Sequence, residues 1–232
     1  MTNTKEINIL TFADVLEMQR KVVQWNKLFG INPTDKEYIP LYHELSKEEF
    51  FGEGEFLESW DKRCDKGILD GLCDMVFTTF QWGVLEGCPL VTSDRDWVEK
   101  VDTLAPEIHI SVIGSSLPYK KCGAFDIVSE LIYLLVQAST QYNVKAAFDR
   151  VCESNYSKAV HKDKNVDIEK EIEYITSQGR YGDITCETSG DYIIFKAGKD
   201  IRSGVVFDKP KVVKSSFFVD VEELGGLACF KY

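Results

Sequence analysis

The chain has 232 residues, 44% of them hydrophobic, which is enough for a substantial core in one globular domain or a domain with an appendage. A formal net charge of −11 excludes a basic nucleic-acid or anionic-membrane surface as the leading idea, but not a nucleotide whose phosphates arrive with a cation. No run of about 20 apolar residues occurs and Met1-Thr2-Asn3-Thr4-Lys5-Glu6 is polar, so neither a membrane span nor a signal peptide is expected.

The seven cysteines are odd in number, scattered, and form no Cys-x-x-Cys pair, which suits reduced thiols in the cytoplasm. With only His43, His109 and His161 present, neither a zinc site nor a His-dependent triad is expected.

In chain order, Phe12, Val15, Leu16, Val22, Val23, Trp25 and Phe29 recur at helical spacing until Gly30 stops them. Asn32-Pro33-Thr34-Asp35 is a turn, and a helix starting near residues 36–40 carries Leu41, Leu45, Glu48 and Glu49. Positions 41, 45, 48 and 52 share one face, so Glu48 is expected on the Leu41–Leu45 stripe with Glu44 close to it. Glu49 and Glu53 form a second i, i+4 pair, and Gly52 and Gly54 bend or end the helix there. Glu55 and Glu58 read as a solvated face. The charged stretch 59–67 then leads back as the connection of a helix hairpin.

The stretch from Asp70 to Leu85 organises the chain. Between Gly71 and Leu85 the only charged residue is Asp74, in a run long enough for a buried helix. A lone carboxylate there is costly unless compensated. Asp70, four residues earlier, projects from the same face. Two readings stand side by side. The pair holds a divalent cation with hard oxygen ligands, or Asp70 caps the helix while Asp74 meets an internal Lys or Arg.

Turn formers fill residues 86–122, with a helical turn or two at Trp97, Val98 and Val101. An apolar helix follows over 125–140, then one over 144–153. After about residue 160 the pattern becomes short and alternating. A charged helix over 166–178 leads to runs at 181–185, 192–196, 205–207, 212–213 and 217–219, separated by turn signals that include Ser189-Gly190 and Lys209-Pro210. The expected fold class is mainly α, a helical bundle core over residues 1–160 with a small antiparallel β appendage over 161–232, α+β overall.

The ordered set Leu28-Phe29-Gly30, Leu45-Ser46-Lys47-Glu48-Glu49-Phe50-Phe51, Leu69-Asp70-Gly71-Leu72-Cys73-Asp74 and Ser154-Asn155-Tyr156-Ser157-Lys158 resembles the all-α nucleoside triphosphate pyrophosphohydrolase superfamily. That group includes MazG-like enzymes, phosphoribosyl-ATP pyrophosphohydrolases and many bacteriophage members. The resemblance implies Mg²⁺-dependent (or Mn²⁺-dependent) cleavage between the α and β phosphates of a nucleoside triphosphate, in a homodimer or homotetramer of the cytoplasm, the host's if the chain is phage-encoded. The family's acids run Glu-Glu-x-x-Glu and then Glu-x-x-Asp. Here Glu48, Glu49 and Asp74 match, while Gly52 and Gly71 stand where two acids belong. Glu44, Glu53 and Asp70 are then the candidates to complete the metal shell, with Glu48 or Glu49 orienting or deprotonating the attacking water.

The same resemblance implies that Asn155, Ser157 and Lys158 lie near the phosphates, a polar helix C-terminus with a dipole-matched lysine being the alternative. Trp25, Asn26 and Phe29 are candidates for the base pocket, core packing being the alternative role for Trp25 and Phe29. Lys62, Arg63 or Lys66 in the hairpin connection reach distal phosphates or remain solvated. Lys211 and Lys214 lie on a loop covering the site or on a strand edge. Two further readings are a dUTP-type pyrophosphatase of the same superfamily, and a catalytically inactive nucleotide-binding or interaction module.

Overall fold

The computed structural model describes residues 9–88 and 123–232. The expected helical turn at Trp97–Val101 lies outside them. Helix α1 (Phe12–Leu28) starts at a capping box, in which Asp14 N–H donates to Thr11 Oγ1 at 3.3 Å and Thr11 N–H to Asp14 Oδ2 at 2.9 Å. A 3₁₀ turn (Lys36–Tyr38) leads into α2 (Ile39–Phe51), followed by α3 (Phe56–Asp61) and α4 (Asp65–Leu85). The stretch expected as a plain connection therefore contains a short helix.

Helix α4 is the hub, packing against α1, α2 and α3 and against α5 (Ala124–Ser139) and α6 (Val144–Tyr156). Its near-continuous apolar run reflects this: Leu69, Leu72, Cys73, Val76 and Phe80 are each 1% exposed or less. Burying a side chain of that size contributes about 2 kcal/mol. No helix among the described residues is long and apolar enough to cross a membrane. The six described cysteines are free thiols.

The chain then forms β1 (Ala159–His161), α7 (Ile168–Ser177), β2 (Tyr181–Ser189), β3 (Tyr192–Asp200) and β4 (Val206–Val212). All pairings are antiparallel and all involve β3, with β2 on one side and β1 and β4 on the other. Ile193, Phe195 and Ala197 face a core with Val160, Ile175 and Val213, whereas Ile194 meets Phe29 and Ala159 on the other face. Burial on both faces explains a continuous rather than alternating apolar run in β3.

Two strand expectations are corrected here. Lys209-Pro210 is not a turn but lies inside β4, and 206–207 and 212 belong to that one strand, which Val205 precedes. An edge strand tolerates proline because one row of its N–H groups has no ladder partner. Residues 217–219 form no strand. They lie in a strap, over 213–222, that leaves the sheet and crosses the helical layer.

The last residues do not belong to the appendage. Leu227 is fully buried in the helical core, Asn143 N–H donates to Phe230 C=O at 2.7 Å, and Tyr232 N–H donates to Gln141 C=O at 2.9 Å. The sheet is thus an excursion between α6 and a segment that returns to the bundle.

Candidate functional site

Helix α2 presents its inward stripe through Tyr42, Ser46 and Phe50, each 5% exposed or less. Glu49 adjoins that stripe and is half-buried, while Glu48 is turned to solvent. The one-residue rotation of about 100° explains the change from expectation. Leu41 is 44% exposed, so the face it shares with Glu48 is the outer one. Burial, with Asp74 as the first of several carboxylates adding to it, pushes Glu49 up to about 8.

Asp70 and Asp74 lie one turn apart on α4, both half-buried. Burial raises both, Asp74 to about 7, and Asp70 adds to the rise at Asp74. Glu55, at the start of α3, is raised by burial and then by Asp70 and Glu48, so it joins the cluster instead of lying on a solvated face. The glycines in the acidic motifs have a packing cause. A Cβ at Gly71 would lie 2.8–2.9 Å from the Phe56 N, Cα and Cβ atoms, and one at Gly52 would lie 2.6 Å from Glu48 O. Helices α3 and α4 can approach this closely only without a side chain at Gly71.

At the end of α6 the Ser-Asn-Tyr-Ser-Lys stretch divides into two functions. Ser154 Oγ donates to Val219 C=O at 2.8 Å, and Val219 N–H donates to Ser157 Oγ at 2.9 Å. The serines therefore clamp the strap. Between them, Asn155 accepts from Lys158 Nζ at 2.6 Å, and both residues face the cavities. Burial pulls Lys158 down to about 8, with Asp74 opposing and Lys214 and Lys211 adding to the fall.

Three cavities meet at Lys158. One, of about 320 Å³, is lined by Glu49, Asp70, Asp74, Asn155 and, from the strap, Lys214 and Asp220. A second, of about 380 Å³, is aromatic and apolar: Trp25, Phe29, Tyr38, Tyr42 and Phe77 from the helices face Phe207 and Pro210 from the strand layer. Glu49, Asp74, Asn155 and Lys158 form the boundary shared by these two. A third, of about 760 Å³, opens between α7, the sheet and the strap.

The structure thus brings Glu49, Asp70, Asp74, Asn155, Lys158, Trp25 and Lys214 together and leaves others aside. Glu44 is exposed and pairs with Lys47 and His43 at 3.2 Å. Glu53 is exposed in the turn after α2. Lys62 pairs with Glu58 on the outer side of α3. Ser157 serves the strap. Asn26 is 1% exposed, accepting from the Tyr42 hydroxyl and donating to Val22 C=O at 2.9 Å, so it steadies a wall of the aromatic cavity from behind. Among residues the sequence did not single out, Tyr38 extends the Tyr42–Leu45–Glu49 stripe by one turn, a spacing that could have revealed it. Lys196, Lys209 and the arginines of the sheet carry no such signal, because only tertiary contact brings them near.

The donor chemistry, hard carboxylate oxygens around a half-buried floor with raised protonation, suits Mg²⁺ or Mn²⁺. Among the described residues, however, no three such groups stand close enough to hold a metal by themselves. That is compatible with Mg²⁺ in particular, which is commonly held by one or two carboxylates, with phosphate oxygens and water completing its shell. Glu49, Asp70 and Asp74 are the residues of which one or two would hold it. Comparison with known protein families, with curated proteins and with solved structures finds no match for this chain.

Proposed function

We propose that the chain is a nucleoside triphosphate pyrophosphohydrolase, releasing a nucleoside monophosphate and pyrophosphate. The observation that carries this reading is the shared boundary of Glu49, Asp74, Asn155 and Lys158 between an aromatic cavity and an acidic one. A nucleotide has the same two-part chemistry: a flat base for Trp25, Tyr38 and Phe77, and an anionic tail that needs cations.

The chain's own residues account for most of the chemistry. Water adds to one of the two phosphorus atoms flanking the α–β bridging oxygen and the bond from that phosphorus to the bridge breaks, pyrophosphate leaving when the attack is at the α phosphorus and the monophosphate leaving when it is at the β phosphorus. Glu49, made more basic by burial and by Asp74, is suited in its ionised form to take the proton of that water. Lys158 neutralises phosphate charge at the boundary, and Asn155 holds its ammonium in place. A Mg²⁺ ion held by one or two of Glu49, Asp70 and Asp74 would supply Lewis acidity and offset the repulsion among them. Helix α5, apolar almost all round, is largely buried within one chain, so the expected homodimer or homotetramer draws no support from it.

The test is incubation with each common dNTP and NTP, dUTP included, plus Mg²⁺, the products being resolved by ion exchange. Monophosphate with pyrophosphate is expected. Diphosphate with orthophosphate, or no turnover, would defeat the reading. The separation of the acids favours one alternative, a nucleotide-binding module without catalysis, for which thermal shifts by nucleotide without turnover are the signature.

A further inference from the structure

The third cavity has a composition unlike the rest of this acidic chain. Its walls carry Lys158, Arg180, Arg202, Lys211 and Lys214 against only Asp220 and Glu223. The cations come from four separate elements: the end of α6, the start of β2, the β3–β4 turn and β4 with its continuation. A solvated face would place its charges along one element. These converge on one concavity.

Internal pairing neutralises only part of them. Arg180 Nε lies 3.7 Å from Asp200, and Lys214 Nζ lies 3.8 Å from Asp220. Neither Arg202 nor Lys211 forms an ion pair among the described residues. On the strap side Glu171 accepts from Ser216 N–H at 2.9 Å and from the Ser216 hydroxyl and fixes the loop, and Ser215 adds a hydroxyl to the wall. Lys158, Lys214, Phe218 and Asp220 also line the acidic cavity, so the two spaces adjoin across these side chains.

We propose that this cavity is a condensed-phosphate site, formed by the sheet and strap, that receives the distal end of the polyanion whose nucleoside occupies the aromatic cavity. The proposal rests on the nucleotide reading for its source of phosphate and deepens it. The ligand enters with its base at Trp25 and Tyr38, passes its proximal phosphate over Glu49, Asp74 and Lys158, and extends its remaining phosphates toward Arg202 and Lys211. A planar guanidinium and an ammonium facing one volume suit several phosphate oxygens at once. The cavity, at about 760 Å³, is larger than either of the other two. The ligand class is therefore a nucleoside polyphosphate, and chains longer than three phosphates fit as well.

Inorganic tripolyphosphate, titrated calorimetrically into the full chain with EDTA present, tests the site without metal or turnover. Binding that weakens with salt is expected. It should weaken by roughly tenfold or more in R202E/K211E, or in R202Q/K211Q should the charge reversal impair folding, because unpaired cations supply the attraction. Glu44→Gln, outside all three cavities, should leave it intact. Competition by a nucleoside triphosphate, but not by the nucleoside, is expected if one polyanion spans both cavities. No tripolyphosphate binding, equal binding by both double variants, or simultaneous binding of tripolyphosphate and nucleotide would each overturn the proposal. If tripolyphosphate binds as expected while no nucleotide is hydrolysed, the catalytic reading fails and the phosphate site stands.

Discussion

The two layers of the molecule divide the charges between them. The helical layer places carboxylates inward, at Glu49, Glu55, Asp70 and Asp74, whereas the sheet and strap present Lys196, Lys209, Lys211 and Lys214 to the same region. Opposite charges on facing layers would ordinarily close into ion pairs. Here Lys196 pairs with Glu187, Lys209 with Glu37 and Lys214 with Asp220. Glu49, Glu55, Asp70 and Asp74, by contrast, enter no ion pair among the described residues, and Lys158 stands at the junction with its ammonium turned to Asn155 at 2.6 Å. Separated groups of this kind retain their capacity for a ligand that is itself part anion and part cation carrier. The stability of the fold is drawn from elsewhere, from the apolar hub of α4 and the two-faced burial of β3.

The sharpest way to break this comparison is to neutralise one acid. Asp74→Asn should lower kcat for nucleotide hydrolysis by roughly 100-fold or more, measured by pyrophosphate release, while circular dichroism stays unchanged. Leu227→Ala addresses the return of the chain to the bundle: loss of a fully buried side chain should cost about 2–4 kcal/mol in urea denaturation, although the residue lines none of the three cavities. Tyr38→Ala should raise KM for nucleotide by about tenfold and alter kcat little, since aromatic stacking on a base is worth about 1–3 kcal/mol.

A smaller effect concerns pH. Glu49 and Asp74 titrate at about 8 and about 7 in the folded chain, above the ordinary carboxylate range of the unfolded one. The native state therefore binds more protons over that interval, and stability should fall as pH rises from about 5 to 8. Thermal melts without divalent ions measure this; Asp74→Asn should flatten the slope, and Mg²⁺ should stabilise more at pH 8 than at pH 5. The smallest effect expected is at Glu44, where Gln should leave both hydrolysis and melting unchanged, because its partners are exposed.

Much of the helical layer was legible because period and length carried it. A single carboxylate in a long apolar run marked α4 as central and Asp74 as anomalous. The limits lay in rotation and in tertiary approach. A shift of one residue separates solvated Glu48 from half-buried Glu49, and helix periodicity over a stretch containing His43, Glu44 and Lys47 could not resolve it. The glycines at positions 52 and 71 read as missing acids, whereas a Cβ at Gly71 would meet the backbone of α3 and one at Gly52 would meet the Glu48 carbonyl of α2, contacts invisible without the third dimension. Likewise Ser157 reads as a ligand contact, whereas it shares with Ser154 a backbone partner, Val219, far along the chain.

That clamp has a consequence for how the molecule comes into being. Val219 is gripped through both its N–H and its C=O by the end of α6, and Leu227 fills the bundle last in sequence order. During synthesis the helices and most of the sheet emerge before either contact is possible. The cavities around Lys158 acquire their strap wall only when residues 213–227 have cleared the ribosome, so the strap side of the candidate site forms after the helices that carry its acids.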